Sequence, residues 1–331
     1  MRTRASLLIG ASAALALASC ELDEVAAPPG SDVLVVEAIM RAGAPRQGIL
    51  LHRSLEGRAV RGEPGASVVV TTPDDVEVRF AEAPLTACLV ESPSEWEVED
   101  LDVLASCYRS ATEAGYFVLP GRDYELSIET TGGERVRGRT TVPGLFSFSV
   151  PTVAVDSVTL STTCLLPTTP FNLVWTQSNG AWAYISYLRL AGWGEELEAQ
   201  GVEVPDPLEL TGVSVSAADT TLLFPTNLGL FQRFEFDQRV LLALQQGIPP
   251  GADATLVILA ADRNYTNAVR GGRFNPSGNI RGSSIVGDGV GVFGSIVPLR
   301  IASPAASVGS TMDPQPGQCP VPPGPPAPAG S

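Results

Sequence analysis

The chain has 331 residues, 44% of them apolar, and carries a formal net charge of −15. Its length and apolar content suffice for sizeable buried cores and suggest two domains. A surface this acidic repels phosphate backbones, which excludes nucleic acid as a partner, and every cationic side chain is Arg, which excludes Schiff-base and P-loop lysine chemistry.

Arg2 and Arg4 precede an apolar run, Leu7 to Leu17, that is too short to cross a bilayer as a stable helix. Residues 1–19 therefore read as a secretory signal peptide. The stretch Leu17-Ala18-Ser19-Cys20 resembles the lipobox of bacterial lipoproteins, which implies cleavage between Ser19 and Cys20. Small residues there let a peptidase close on the backbone, and the Cys20 sulfur is the nucleophile that takes the diacylglycerol. Each buried methylene contributes about 0.8 kcal/mol, so two or three acyl chains, palmitate among them, hold almost irreversibly. The implied partner is thus the lipid bilayer, through acylated Cys20. Cleavage removes Arg2 and Arg4, taking the net charge from −15 to about −17. Glu21, Asp23 and Glu24 follow at once and resemble the acidic signal that sends some Gram-negative lipoproteins to the cell surface. The expected location is an outer-membrane lipid anchor, surface-exposed or facing the periplasm.

After a lipidated linker, residues 20–31, the chain alternates in β fashion from 32 to 145. "DVLVVEAIM", "GILLHRS", "ASVVVTT" and "DVEVRFA" are short, Val-rich runs between Gly/Pro turns. In "LPGRDYELSIET", Tyr124, Leu126 and Ile128 take one side while Glu125, Ser127 and Glu129 take the other, as a half-buried strand requires. Leu119-Pro120-Gly121 ahead of Tyr124 resembles the tyrosine corner of fibronectin-type and immunoglobulin-like sandwiches. "ERVRGRTTVP" is the next strand, ended by Pro143. The fold class expected is all-β, with an immunoglobulin-like sandwich of seven or eight strands in this segment.

Residues 150–303 read as a second β-rich domain. "PFNLVWTQ", with Trp175 as a candidate core aromatic, "AWAYISYLRLAG", "TTLLF", "RFEFDQRVLL", "ATLVILAA" and "GVFGSIVPLRI" are its predicted strands, with short helices around "WGEELEAQG" and "DRNYTNAVR". The tail, 304–331, is rich in Pro, Gly and Ala and is expected to be disordered. Beyond Cys20, four cysteines (Cys88, Cys107, Cys164 and Cys319) allow three disulfide connectivities. The local pair Cys88–Cys107 is favoured, and Cys164 with Cys319 would then tie the tail to the second domain.

Together these pieces resemble outer-membrane lipoproteins of the domain of unknown function 4249 family. The matching motifs are the lipobox and its acidic follow-on, "LVVE" at Leu34 to Glu37, Pro120 to Tyr124, and Thr140 to Pro143. "FNPSGNIRG" at 274–282 and "GVGVFGSIVPL" at 289–299 continue the same order. Ala38 stands where the family usually has glycine, and the Cys88–Cys107 insertion and Pro-rich tail depart from the pattern. The resemblance implies no reaction; it implies a binding or assembly role beside a TonB-dependent outer-membrane receptor.

No other constellation carries chemistry strongly. "GVGVFG", Gly289 to Gly294, satisfies G-x-G-x-x-G, but a β-branched, Pro-interrupted run follows it where a Rossmann unit needs a helix. The glycines are expected to allow a bulge or close backbone packing. Glu91, Glu95, Glu97, Glu99, Asp100 and Asp102 lack calcium-loop spacing and read as a solvated loop. Trp96 within it, and Trp193 between glycines, are the binding candidates, suited to stacking on a sugar or docking on a receptor. His52, the sole histidine, has no nucleophile-elbow serine to serve. No catalytic set, cofactor or metal is predicted. The alternative to a binding protein is a surface hydrolase cutting glycan or peptide with two carboxylates.

Overall fold

In the computed structural model, described over residues 32–54, 61–88, 105–111, 114–150, 171–192, 205–227, 238–245, 253–271 and 283–304, strands dominate. The first segment supplies eight: β1 (Val33–Arg41), β2 (Gly48–Ser54), β3 (Arg61–Gly62), β4 (Ser67–Thr71), β5 (Glu77–Ala83), β6 (Ser106–Ser110), β7 (Asp123–Glu129) and β8 (Arg135–Thr141). In β7, Tyr124, Leu126 and Ile128 are buried and their neighbours exposed, the period-two pattern read from the sequence. The tyrosine corner is present. The Tyr124 hydroxyl accepts from the Leu119 N–H at 2.8 Å and donates to the Phe117 carbonyl at 2.8 Å. Burial pushes this phenol's pKa up. Cys88 and Cys107 form a disulfide.

The remaining strands are β9 (Phe148–Val150), β10 (Phe171–Trp175), β11 (Ala183–Ala191), β12 (Leu208–Val213), β13 (Thr221–Phe224), β14 (Asp253–Ala261), β15 (Ile285–Gly287) and β16 (Gly289–Pro304). Two helices join them, α1 (Gln238–Gln245) and α2 (Arg263–Gly271). The second matches the helix expected at "DRNYTNAVR". The first corrects the second half of the strand expected in "RFEFDQRVLL", from Gln238 on; residues 233–237 lie outside the described residues. Val240 and Leu244, four residues apart and fully buried, share one helical face, and a strand would have placed them with Leu242, which is exposed.

Hydrogen bonding runs β12-β11-β14-β16-β1-β2-β6-β5-β4-β7-β8-β15, with β3 on β2, in a 13-stranded sheet; β13-β10-β9 form a second sheet. The large sheet turns back on itself, because β8 packs against β16 across the core. That approach requires glycine at 138: a Cβ there would stand 2.8 Å from Cβ of Phe293. Leu34, Val36, Ala38, Met40, Val68, Val70 and Leu126 fill the interior between the layers. The small sheet covers the same face further along, where Trp175 meets Tyr184 edge-on at 5.3 Å and Phe146 meets it at 5.6 Å. This is an all-β fold of sandwich-like layers.

β16 serves both segments. Its residues 289–296 pair in parallel with β1, and 296–304 pair antiparallel with β14. The segments 32–145 and 150–303 are thereby hydrogen-bonded into one sheet. The glycine motif lies in this strand, not in a nucleotide loop. At Gly291, φ is +130° and a Cβ would fall 2.1 Å from the Val36 carbonyl oxygen, so the parallel pairing depends on a bare backbone. α2 covers the opposite face of the sheet, over Ile185, Leu259, Ala261 and Ile296.

Candidate functional site

The sequence-derived site residues Ser19, Cys20, Trp96, Trp193, Cys164 and Cys319, the acidic run 91–102, the helix expected at "WGEELEAQG" and the tail beyond Pro304 all lie outside the described residues. An exposed tryptophan that is described is Trp182, 48% exposed, with the Arg263 guanidinium 5.4 Å above its ring. His52 lies on β2 as expected, half-buried, with Nε2 3.5 Å from a Glu37 carboxylate oxygen. Among the described residues no group of three or more His, Cys, Asp or Glu could hold a metal ion.

The structure instead brings together a polar groove of about 540 Å³ on the solvent face of β4, β7, β8 and β15. Register builds it. Thr71 pairs with Glu125 and Glu125 with Arg139 in one row; Ser127 pairs with Arg137 and Arg137 with Val286 in the next. Directly opposed side chains on one face lie about 5 Å apart, so each row presents a continuous strip. Alternation places Arg135, Arg137 and Arg139 outward while Val136 and Thr140 point into the core.

The outward arginines differ in what holds them. Arg135 is bound by Glu129 at 3.0 Å. Arg139 is flanked by Asp123 at 3.5 Å and Glu125 at 3.8 Å. Arg137 makes no ion pair among the described residues. The hydroxyls of Thr71 and Ser127 likewise have no hydrogen-bond partner among the described residues.

One end of the groove is closed by Asn264, whose Nδ2 donates to the carbonyls of Arg139 and Phe293, both at 2.8 Å. Asn264 is positioned by a buried carboxylate. Asp262, 5% exposed, caps α2 by accepting the Tyr265 N–H on Oδ1 at 2.8 Å. Its Oδ2 lies 2.7 Å from the Thr140 hydroxyl, which is 2.8 Å from the Ser295 hydroxyl, and Ser295 donates to the Thr141 carbonyl at 3.1 Å. Burial pushes the Asp262 pKa above the ordinary carboxylate range. This chain of hydroxyls ties α2, β8 and β16 together and fixes the groove wall.

Sequence reasoning passed over the groove, although its signal was there. "RVRGRTT" puts three arginines at alternate positions, and period two sends all three to one face. Which of them would be left without a carboxylate depends on cross-strand register and could not be read.

No protein-family model matches the chain, and no curated protein does. Among solved structures, the chain is similar to the fibronectin(III)-like modules of Clostridium thermocellum CbhA at 8% identity and a TM-score of 0.19. That alignment covers 85% of this chain and 98% of the other. The all-β assignment stands on the strand pairings themselves.

Proposed function

We propose that this protein is an outer-membrane-anchored lipoprotein whose β-rich body binds or assembles rather than catalyses. The observation that carries the reading is Leu17-Ala18-Ser19-Cys20 with Glu21, Asp23 and Glu24 behind it. The ordered motifs resembling the domain of unknown function 4249 family support it and point to a TonB-dependent receptor as the partner.

The character of the groove supports binding over hydrolysis. A glycan-cutting pair needs two carboxyl groups whose environments set their protonation states apart. Among the described residues the groove is lined by one carboxylate, Glu125, and its neighbour Asp123 shares the same Arg139 guanidinium on an open sheet face. Both are more than half exposed or at that point, at 63% and 50% of the side chain.

The test is affinity capture of the acylated protein, crosslinked in intact cells and extracted in detergent. The expected result is recovery of one β-barrel receptor, lost in a Cys20→Ala variant that no longer fractionates with membranes. Membrane retention of Cys20→Ala without acyl labelling would contradict the anchor. Repeated capture of the lipoprotein alone would contradict the receptor partnership.

A further inference from the structure

We infer that the groove on β4, β7, β8 and β15 is a binding site for an acidic sugar, a uronate unit whose carboxylate docks on Arg137. The juxtaposition that carries it is a guanidinium with no ion pair among the described residues, set between hydroxyls that have no hydrogen-bond partner among them. Arg137 stands opposite Ser127 on one strand and Val286 on the other. Its neighbours two residues away on β8 are both held by carboxylates of this chain, so Arg137 is the cation left for an incoming anion. A guanidinium presents a planar fork that takes a carboxylate through two parallel hydrogen bonds.

The surrounding groups select the body of the ligand. Thr71 and Ser127 offer hydroxyls that both donate and accept, and Glu125 adds an acceptor. Asn264 spends its two amide hydrogens on backbone carbonyls, leaving Oδ1 as an acceptor at the groove's end. A ring bearing several hydroxyls satisfies such a set. Val286, 74% exposed on β15, gives a small apolar surface for the C–H face of a sugar. The volume falls in the range of about 300–1,000 Å³ typical of small-ligand sites. The overall charge of −15 makes the local exception more telling, since an acidic ligand is admitted only where a cation is uncompensated.

The inference deepens the binding-protein reading and is tested apart from it. Detergent-solubilised full-length protein is titrated calorimetrically at low salt with trigalacturonate and with the neutral galactotriose. Trigalacturonate is expected to bind saturably and galactotriose about tenfold more weakly or not at all, the range a lost charge-assisted contact produces. Arg137→Gln should weaken trigalacturonate binding about tenfold, and Ser127→Ala a few-fold. Arg135→Gln, whose side chain is already engaged by Glu129, should stay within about twofold. Thermal melts confirm that each variant is folded. Absence of saturable heat with trigalacturonate would overturn the inference, as would equal affinity for galactotriose or an Arg137→Gln protein that binds like the parent. Equal binding of triglutamate would overturn the sugar assignment. An unacylated protein that still takes up trigalacturonate would sink the anchor alone; an acylated one that ignores it would sink this site alone.

Discussion

The strongest mechanical test of the fold lies at a buried ion cluster on β2, between Arg53, Glu63 and Glu134. Arg53 sits on the inward face of β2, paired in register with Leu34, and is 6% exposed. Its Nε donates to Glu63 Oε2 at 2.7 Å, and its two terminal nitrogens grip the Glu134 carboxylate, one of them at 2.9 Å. Glu134 and then Glu63 hold the guanidinium's pKa above its ordinary value, and the Arg53 hydrogen bond holds Glu134 below the ordinary 4.5. Replacing Arg53 by Met keeps much of the stem's volume but leaves Glu63, itself 6% exposed, with Arg61 at 4.0 Å as its one cation among the described residues. Breaking a buried pair in this way costs about 3–5 kcal/mol, and the Arg61 remnant places the cost near the lower end. At about 2–4 °C per kcal/mol, Arg53→Met should lower the melting temperature by roughly 6–12 °C. The double variant Arg53→Met/Glu63→Leu removes the buried stranded charge and leaves Glu134, whose side chain is 32% exposed, to solvent, so it should return to within about 1–2 kcal/mol of the parent. Melting is followed by circular dichroism. A single variant within about 2 °C of the parent, or a double variant as unstable as the single, would refute the reasoning.

The other predictions concern the elements that shape the fold and the groove. Serine at both Cys88 and Cys107 opens the 19-residue span and should cost about 3 kcal/mol in denaturant unfolding, with no loss if the thiols are reduced in the parent as well. Asp262→Asn keeps an acceptor for the Tyr265 N–H and gains a donor toward Thr140, so it should fold and melt no lower than the parent at neutral pH. Because burial raises the folded pKa of Asp262, its contribution is full below the ordinary 3.8 and is lost as pH rises through the folded value. The Asn variant's advantage should therefore grow with pH, and a shrinking one would contradict the assignment. Gly291→Ala should abolish soluble expression, since Cβ would collide with the Val36 backbone, whereas Gly180→Ala, at φ +76° with nothing within 4 Å, should cost only roughly 1–2 kcal/mol.

Local pattern carried much of this architecture. Period-two alternation placed β7 and β8, the Pro-Gly-x-x-Tyr corner placed Tyr124, and cysteine spacing placed the disulfide. The misread stretch was the "QRVLL" end of "RFEFDQRVLL", where a helix and a buried strand share the same apolar density and only tertiary packing decides. The parallel pairing of β1 with β16 spans most of the chain and has no local signal, although the glycines of "GVGVFG" announced a close backbone. The groove was half legible: its arginines follow from alternation, but the availability of Arg137 follows from where Glu129, Asp123 and Glu125 fall across the ladder.

The central claim is tested most directly by mass spectrometry of the protein extracted from membranes. The account predicts that Cys20 is the first residue and carries diacylglycerol with a further acyl group. An intact Met1, or an unmodified Cys20 amino terminus, would contradict it.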